Sequence, residues 1–300
     1  MRKIFLSALL ILFSVMSLSS QTINIGKSYR IDPKGFNAVL NTSGNLLAFT
    51  TENYGGLEVY DFSNKSVQKI SDEPGAGFDP VFSDDGKLFY KNIVYKSRLR
   101  YEGLKSYDLQ KKIVKEELEP QRNLTPVQKS GKGVIFANDK KTVRISSATI
   151  EKTDLPYIWS DGQNLNILKG EKTEILNPIE GANGYIWASL SPNGQMILFN
   201  AVAVGTFVCD LKGNIIASLG YLNAPVWYDN EFVVGMQDKD DGQDIIESKV
   251  IIKNLSGKIT KQLSGSKQIA MFPTASSIAK KVAYNTIDGD IYVLELNITK

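Results

Sequence analysis

One phrase, written twice about a hundred residues apart, limits what this chain can fold into more than any other feature. "VFSDDGKLFYKN" runs from Val81 to Asn92 and "SLSPNGQMILFN" from Ser189 to Asn200. Each is a short apolar run, a polar turn with Asp or Asn beside Gly, and a second apolar run. Asp, Asn and Gly tolerate the positive φ of a tight turn, so each phrase predicts a β-hairpin. A hairpin that recurs along a chain predicts an array of like units.

Four weaker versions complete the series: "FNAVLNTSGNLLAFT" from Phe36, "LTPVQKSGKGVIFAN" from Leu124, "APVWYDNEFVVGM" from Ala224 and "AMFPTASSIAKKVAYN" from Ala270. A third apolar run follows several of them, such as "LEVYDF", "TFVCDL" or "IYVLEL", and a fourth closes some, such as "SVQKISD". The turn glycines Gly44, Gly86 and Gly131 are 42 and 45 residues apart. That period belongs to four-stranded propeller blades rather than to the single strands of a two-sheet sandwich, and helical periodicity is absent beyond the N-terminus. The expectation is an all-β, six-bladed β-propeller of four-stranded blades filling residues 21–300 as a single domain. "TINIGKSYRI", Thr22 to Ile31, belongs to no unit. It is expected to pair beside Ile291–Leu296 as the outer strand of the last blade, so that the N-terminal strand closes the ring.

Residues 1–20 read differently. Arg2 and Lys3 precede an apolar stretch from Ile4 to Met16, and Ser17-Leu18-Ser19 fits a small-x-small cleavage site. This predicts a signal peptide and a periplasmic or secreted protein, with no integral membrane segment after cleavage. The 35 Lys and Arg against 32 Asp and Glu leave the rest near neutrality, which gives no electrostatic case for a nucleic-acid partner. The chain has no His, so no Ser-His-Asp triad, Cys-His pair or His-ligated metal centre can be built. Its single Cys, Cys209, lies in an apolar run and is expected to be a buried thiol.

"VFSDDGKLFY" and "SLSPNGQMILFN" resemble the Ser-Pro-Asp-Gly-Lys phrase of the WD-like repeats in the TolB propeller. Endings such as "KQLSG" resemble that family's closing Leu-Thr. The resemblance runs over most of Phe36 to Leu296 and implies six blades. The chain offers no counterpart of the TolB N-terminal α/β domain.

Two places depart from the period. Gly131 and Gly194 are 63 residues apart, and Thr142 to Gln163 is expected to be a dispensable excursion from blade three, followed by "NLNILKG" as that blade's third strand. "DKDDGQD" places Asp238, Asp240, Asp241 and Asp244 on a hairpin of blade five. These are a turn in solvent or oxygen ligands for Ca²⁺; no other cofactor is expected. Propellers bind at the ends of the channel lined by first strands, so the candidate ligand-binding residues are Asn37, Asp79, Tyr185, Trp187, Asn223 and Met271. Asp79 is the one ionisable residue among them. Trp187 and Trp227 are alternatively packing between blades, and Trp159 lies in the excursion.

Two functions follow. The first is a monomeric, exported, non-catalytic binding module that contacts an envelope protein or a cell-envelope glycan through one end of the disc. The alternative is a carboxylate-based glycan-active enzyme, a glycosidase or lyase, which needs paired acids across a sugar.

Overall fold

The computed structural model describes residues 21–51, 55–122, 124–130, 133–138, 141–145, 156–169 and 172–299. The expected signal peptide, 1–20, lies outside them. Among the described residues every regular element is a β-strand, and none of them forms a helix long and apolar enough to cross a membrane.

The turns form for the reason the sequence suggests. In several hairpins between first and second strands a side-chain oxygen caps the backbone N–H groups that the turn leaves free. Asn41 Oδ1 accepts from the N–H of Asn45 and Leu46, both at 3.0 Å. Ser191 Oγ accepts from Gln195 and Met196, and Asp229 Oδ1 from Glu231 and Phe232.

These hairpins build antiparallel sheets in chain order. The first sheet holds Phe36–Leu40, Leu46–Thr50, Gly55–Asp61 and Ser66–Pro74; the second holds Val81–Phe82, Lys87–Lys96, Leu99–Asp108 and Ile113–Gln121. The third holds Gln128–Ser130, Gly133–Asn138 and Lys141–Ile145, and the fourth Tyr157–Ser160, Leu165–Lys169 and Lys172–Leu176. The fifth holds Tyr185–Leu190, Met196–Ala201, Gly205–Asp210 and Ile215–Gly220, and the sixth Asn223–Trp227, Phe232–Asp240, Ile245–Asn254 and Thr260–Gln262. The seventh combines Ala270–Ser276, Lys281–Thr286 and Asp290–Thr299 with Thr22–Lys34 as its outer strand.

The core is a ring of seams between successive sheets. Leu57 and Val59 meet Leu88 and Tyr90; Phe89 and Leu104 meet Val134 and Phe136; Ile135 and Ala137 meet Tyr157 and Leu168. Ile158 and Ile167 meet Ile197 and Phe199, and Leu198 and Val208 meet Val233 and Ile251. Phe232 and Val234 meet Val282 and Tyr284, and Ala283 and Val293 meet Leu47 and Phe49, which brings the ring back to its start. Cys209 is fully buried in this core, and burial pushes its thiol up to about 12.

The all-β propeller and its closure agree with the sequence. Ile23 pairs with Ile298 and Ile25 with Leu296, so the N-terminal strand completes the last blade as expected. Five of the six units are four-stranded blades. The remaining one, expected as a third blade with an excursion from Thr142 to Gln163, consists of two three-stranded sheets, so the described residues form seven sheets. Residues 146–155 of that stretch lie outside the described residues. Tyr157–Ser160 is the first strand of the fourth sheet, and "NLNILKG" supplies that sheet's middle strand rather than a third one. Asp161 Oδ1 caps Gln163 and Asn164, the same turn device as in the full blades. Trp159, half-buried, stacks on Tyr157 with ring centroids 4.9 Å apart.

Candidate functional site

Each first strand begins beside the turn between its sheet's second and third strands, as the pairs Phe36↔Thr50, Tyr185↔Ala201 and Ala270↔Thr286 fix. These beginnings gather at one end of the channel. Four of the strands break register there, between Phe36 and Val39, Ile186 and Ser189, Asn223 and Val226, and Met271 and Thr274. At each break a residue other than Gly takes a left-handed backbone: Asn37 (φ 49°), Trp187 (53°), Ala224 (42°) and Phe272 (48°). Asp79 (φ 50°) holds the matching place just before Val81–Phe82. Asn and Asp tolerate this region, whereas bulky Trp and Phe pay strain for it, and such strain concentrates at functional positions. The bulge turns successive side chains toward the channel mouth and leaves large ones in solvent there: Phe78 is 44% exposed, Trp187 39% and Ile186 36%.

The candidates from sequence divide around this mouth. Asn37 donates its backbone N–H to Asn285 Oδ1 at 3.2 Å, tying the first sheet to the seventh. Met271 is half-buried beside Phe272. Tyr185 is buried against Phe199, and its hydroxyl bonds the backbone of Ile179, so it serves the seam between the fourth and fifth sheets. Trp227 also packs between blades, its indole N–H donating to Ser189 O at 3.4 Å. Asn223 donates to Asp238 Oδ1 at 2.9 Å, and the Tyr221 hydroxyl reaches Asp238 Oδ2 at 3.3 Å. Residues drawn from two separate sequence patterns thus meet on one rim, beside a cavity of about 530 Å³ walled by Gln237, Asp238 and Lys267.

The other acids of "DKDDGQD" shape their own turn. Asp240 Oδ1 accepts from Gly242 N–H, and Asp241 Oδ1 from Gln243 and Asp244. Among the described residues no group of three or more His, Cys, Asp or Glu side chains converges as a metal site would require.

Asp79 is different in kind. Its carboxylate makes no hydrogen bond or ion pair among the described residues. It is open to solvent, although the protein around it removes part of its hydration. Loss of hydration raises its pKa; Lys91 opposes this in part and Glu102 adds to it. Lys91 is itself buried and held by Glu102 at 3.2 Å, and Arg100 grips the other oxygen of Glu102 at 2.6 Å. A carboxyl whose pKa rises on folding binds its proton more readily in the native state. Stability therefore falls as pH rises through the window above the ordinary carboxylate pKa. Solvent screens an exposed carboxylate, so Asp79→Asn should melt no more than about 1 °C above the parent at pH 7, and that advantage should vanish near pH 3, where the carboxyl is protonated folded or unfolded. Thermal melts at the two pH values check this; a less stable variant at pH 7 would mean that the charge is compensated.

The opposite end of the channel is lined differently. Residues from six sheets and their turns line a recess of about 350 Å³ there, among them Leu40, Phe82, Pro192 and Trp227. Lys129 reaches over it to Asp84 Oδ1 at 2.5 Å and Thr42 Oγ1 at 2.6 Å, and Thr42 bonds the same oxygen of Asp84.

The sequence also missed two strained positions at the open mouth, Ala224 and Phe272, whose side chains carry no polar signal. No protein-family model matches the chain, and no curated protein sequence does. Its fold is similar to solved WD40-type propellers. The β-propeller domain of Cps50 (Swd1) from Myceliophteria thermophila is 14% identical, with a TM-score of 0.62 over 91% of this chain and 99% of that one. A chain of the mitotic checkpoint complex is 8% identical, with a TM-score of 0.58 over 98% of this chain and 99% of that one. At these identities the similarity establishes the β-propeller fold and nothing further.

Proposed function

We propose that the chain is an exported, non-catalytic binding propeller that presents the open channel mouth to a protein of the cell envelope. The observation that carries this reading is the set of strained inner-strand residues at one level of the ring, with Phe78, Ile186 and Trp187 left in solvent around them. Exposed aromatic and branched side chains on a rigid scaffold suit a protein surface, where such anchors supply most of the binding energy. Propellers of this architecture occur in multiprotein assemblies, as the checkpoint complex illustrates. The TolB-like phrase and the basic-then-apolar residues 1–20 support an envelope setting. A carboxylate-based enzyme finds less support: of the acids near the mouth, Glu102 is engaged by Lys91 and Arg100, leaving Asp79 without a second free acid beside it.

Photo-crosslinking in intact cells tests the reading. A benzophenone side chain at Phe78 or Trp187 should give a discrete protein adduct in the envelope fraction. The same probe at Ile278, which is 73% exposed at the opposite end, should not. Adducts from Ile278 alone would move the binding surface to the other end. Absence of any protein adduct, with retention of the protein on cell-wall glycan, would replace the protein partner by a saccharide.

A further inference from the structure

We propose that the open mouth receives an arginine side chain of the partner, with Asp79 as its counter-ion. This rests on the reading above and names the chemistry of the contact. Three observations lead to it. First, the Asp79 carboxylate has no bonded partner among the described residues, although Lys91 is near enough to influence it. An exposed carboxylate without a bonded partner leaves its oxygens open to the N–H donors of an incoming cation.

Second, the available cations are committed. Lys91 and Arg100 both hold Glu102, so neither is free to turn to Asp79 without breaking an ion pair. A cation that pairs with Asp79 therefore comes from outside the chain. Third, the matching positions on the other first strands are uncharged: Asn37, Trp187, Ala224 and Phe272. Asp79 alone of these positions carries a charge, in a ring whose exposed members include Phe78 and Trp187, while the nearby rim carboxylate of Asp238 is taken up by Asn223 and Tyr221. A guanidinium fits that combination better than an ammonium. It is planar and weakly hydrated, it stacks on aromatic faces, and it gives a carboxylate two parallel N–H donors.

The test uses the full exported chain labelled with 5-fluorotryptophan, whose three Trp give three ¹⁹F resonances. Trp187→Phe assigns the one at the mouth. Titration with the capped peptide Gly-Arg-Gly should move the Trp187 resonance saturably and leave Trp159 and Trp227 in place. Gly-Lys-Gly should bind more weakly, and Gly-Gln-Gly should not bind. Asp79→Asn should weaken the Arg peptide by about tenfold or more, and Asp79→Glu should restore part of that loss. The inference is overturned if Asp79→Asn binds the Arg peptide as the parent does, if the Gln peptide binds equally, or if Trp187 does not respond. A Lys peptide as tight as the Arg peptide overturns the guanidinium assignment. The crosslinking outcome is separate. Adducts at Phe78 and Trp187 without response to the Arg peptide would keep the protein-binding mouth and discard its arginine, whereas adducts from Ile278 alone would discard the mouth.

Discussion

Removal of Thr22 to Arg30 should lower the melting temperature by more than about 10 °C and make the protein aggregate on heating. This segment completes the seventh sheet along nearly its whole length, from the pair Thr22↔Thr299 to Arg30↔Tyr292. Its loss acts in three ways. Ile23 is 5% exposed within the seam that joins the sixth and seventh sheets, and burying a side chain of that size contributes about 1.5–3 kcal/mol. The backbone of Asp290–Thr299 loses its hydrogen-bonding neighbour and becomes an open edge, the feature that most invites strand-to-strand association. Lys261, which donates to Ile23 O at 2.6 Å, loses a tie between the sixth sheet and the N-terminal strand. The ion pair of Arg30 with Asp290, 3.2 Å long and half in solvent, adds little. Thermal melts with light scattering check the prediction. A truncated protein that melts like its parent would show that the seams alone hold the ring.

What the sequence revealed and what it hid have physical causes that can be named. The N-terminal strand was legible because "TINIGKSYRI" alternates apolar and polar residues yet belongs to no unit. The full blades were legible because Ser, Asn or Asp must cap the turn, so the turn leaves a trace in the side chains. The third and fourth sheets were harder to read because four-stranded spacing was the template. Gly131, Gly162 and Gly194 are 31 and 32 residues apart, room for three strands rather than four. The fourth sheet's own turn, "SDGQ" from Ser160, carries the same signal as Ser83 to Lys87 and would have marked a separate unit. At the mouth, the candidates followed from counting back along each first strand, which found Asn37, Asp79 and Trp187 on the strained positions. It could not find Ala224 or Phe272, because a left-handed backbone in an Ala or Phe is imposed by the sheet and not announced by the side chain. The unpaired state of Asp79 was equally hidden, since it depends on Lys91 and Arg100 both turning to Glu102.

Tyr157 should prove to be the residue on which the two short sheets depend. It lies within the stretch that the repeat period marked as dispensable, yet its side chain is fully buried in the seam with Ile135, Ala137 and Leu168. Its hydroxyl donates to Pro126 O at 2.7 Å and lies 2.7 Å from Thr125 Oγ1, which itself bonds both the N–H and the carbonyl of Ala137. One side chain therefore joins the fourth sheet to the segment leading into the third and, through Thr125, to the third sheet's middle strand. Tyr157→Ala removes the ring and the bridge together and should cost about 3–5 kcal/mol. Tyr157→Phe keeps the ring and leaves Pro126 O without this donor, which should cost about 1–3 kcal/mol. Replacing Thr142 to Gln163 by a Gly-Ser linker takes away Tyr157–Ser160 whole, and with it the first strand that the neighbouring Tyr185–Leu190 packs beside; cooperative unfolding should be lost. Urea titration of the three variants orders them: Phe near the parent, Ala well below it, and the linker variant without a cooperative transition. A linker variant that unfolds as sharply as Tyr157→Phe would make the stretch an excursion after all and leave the ring closed by its remaining sheets.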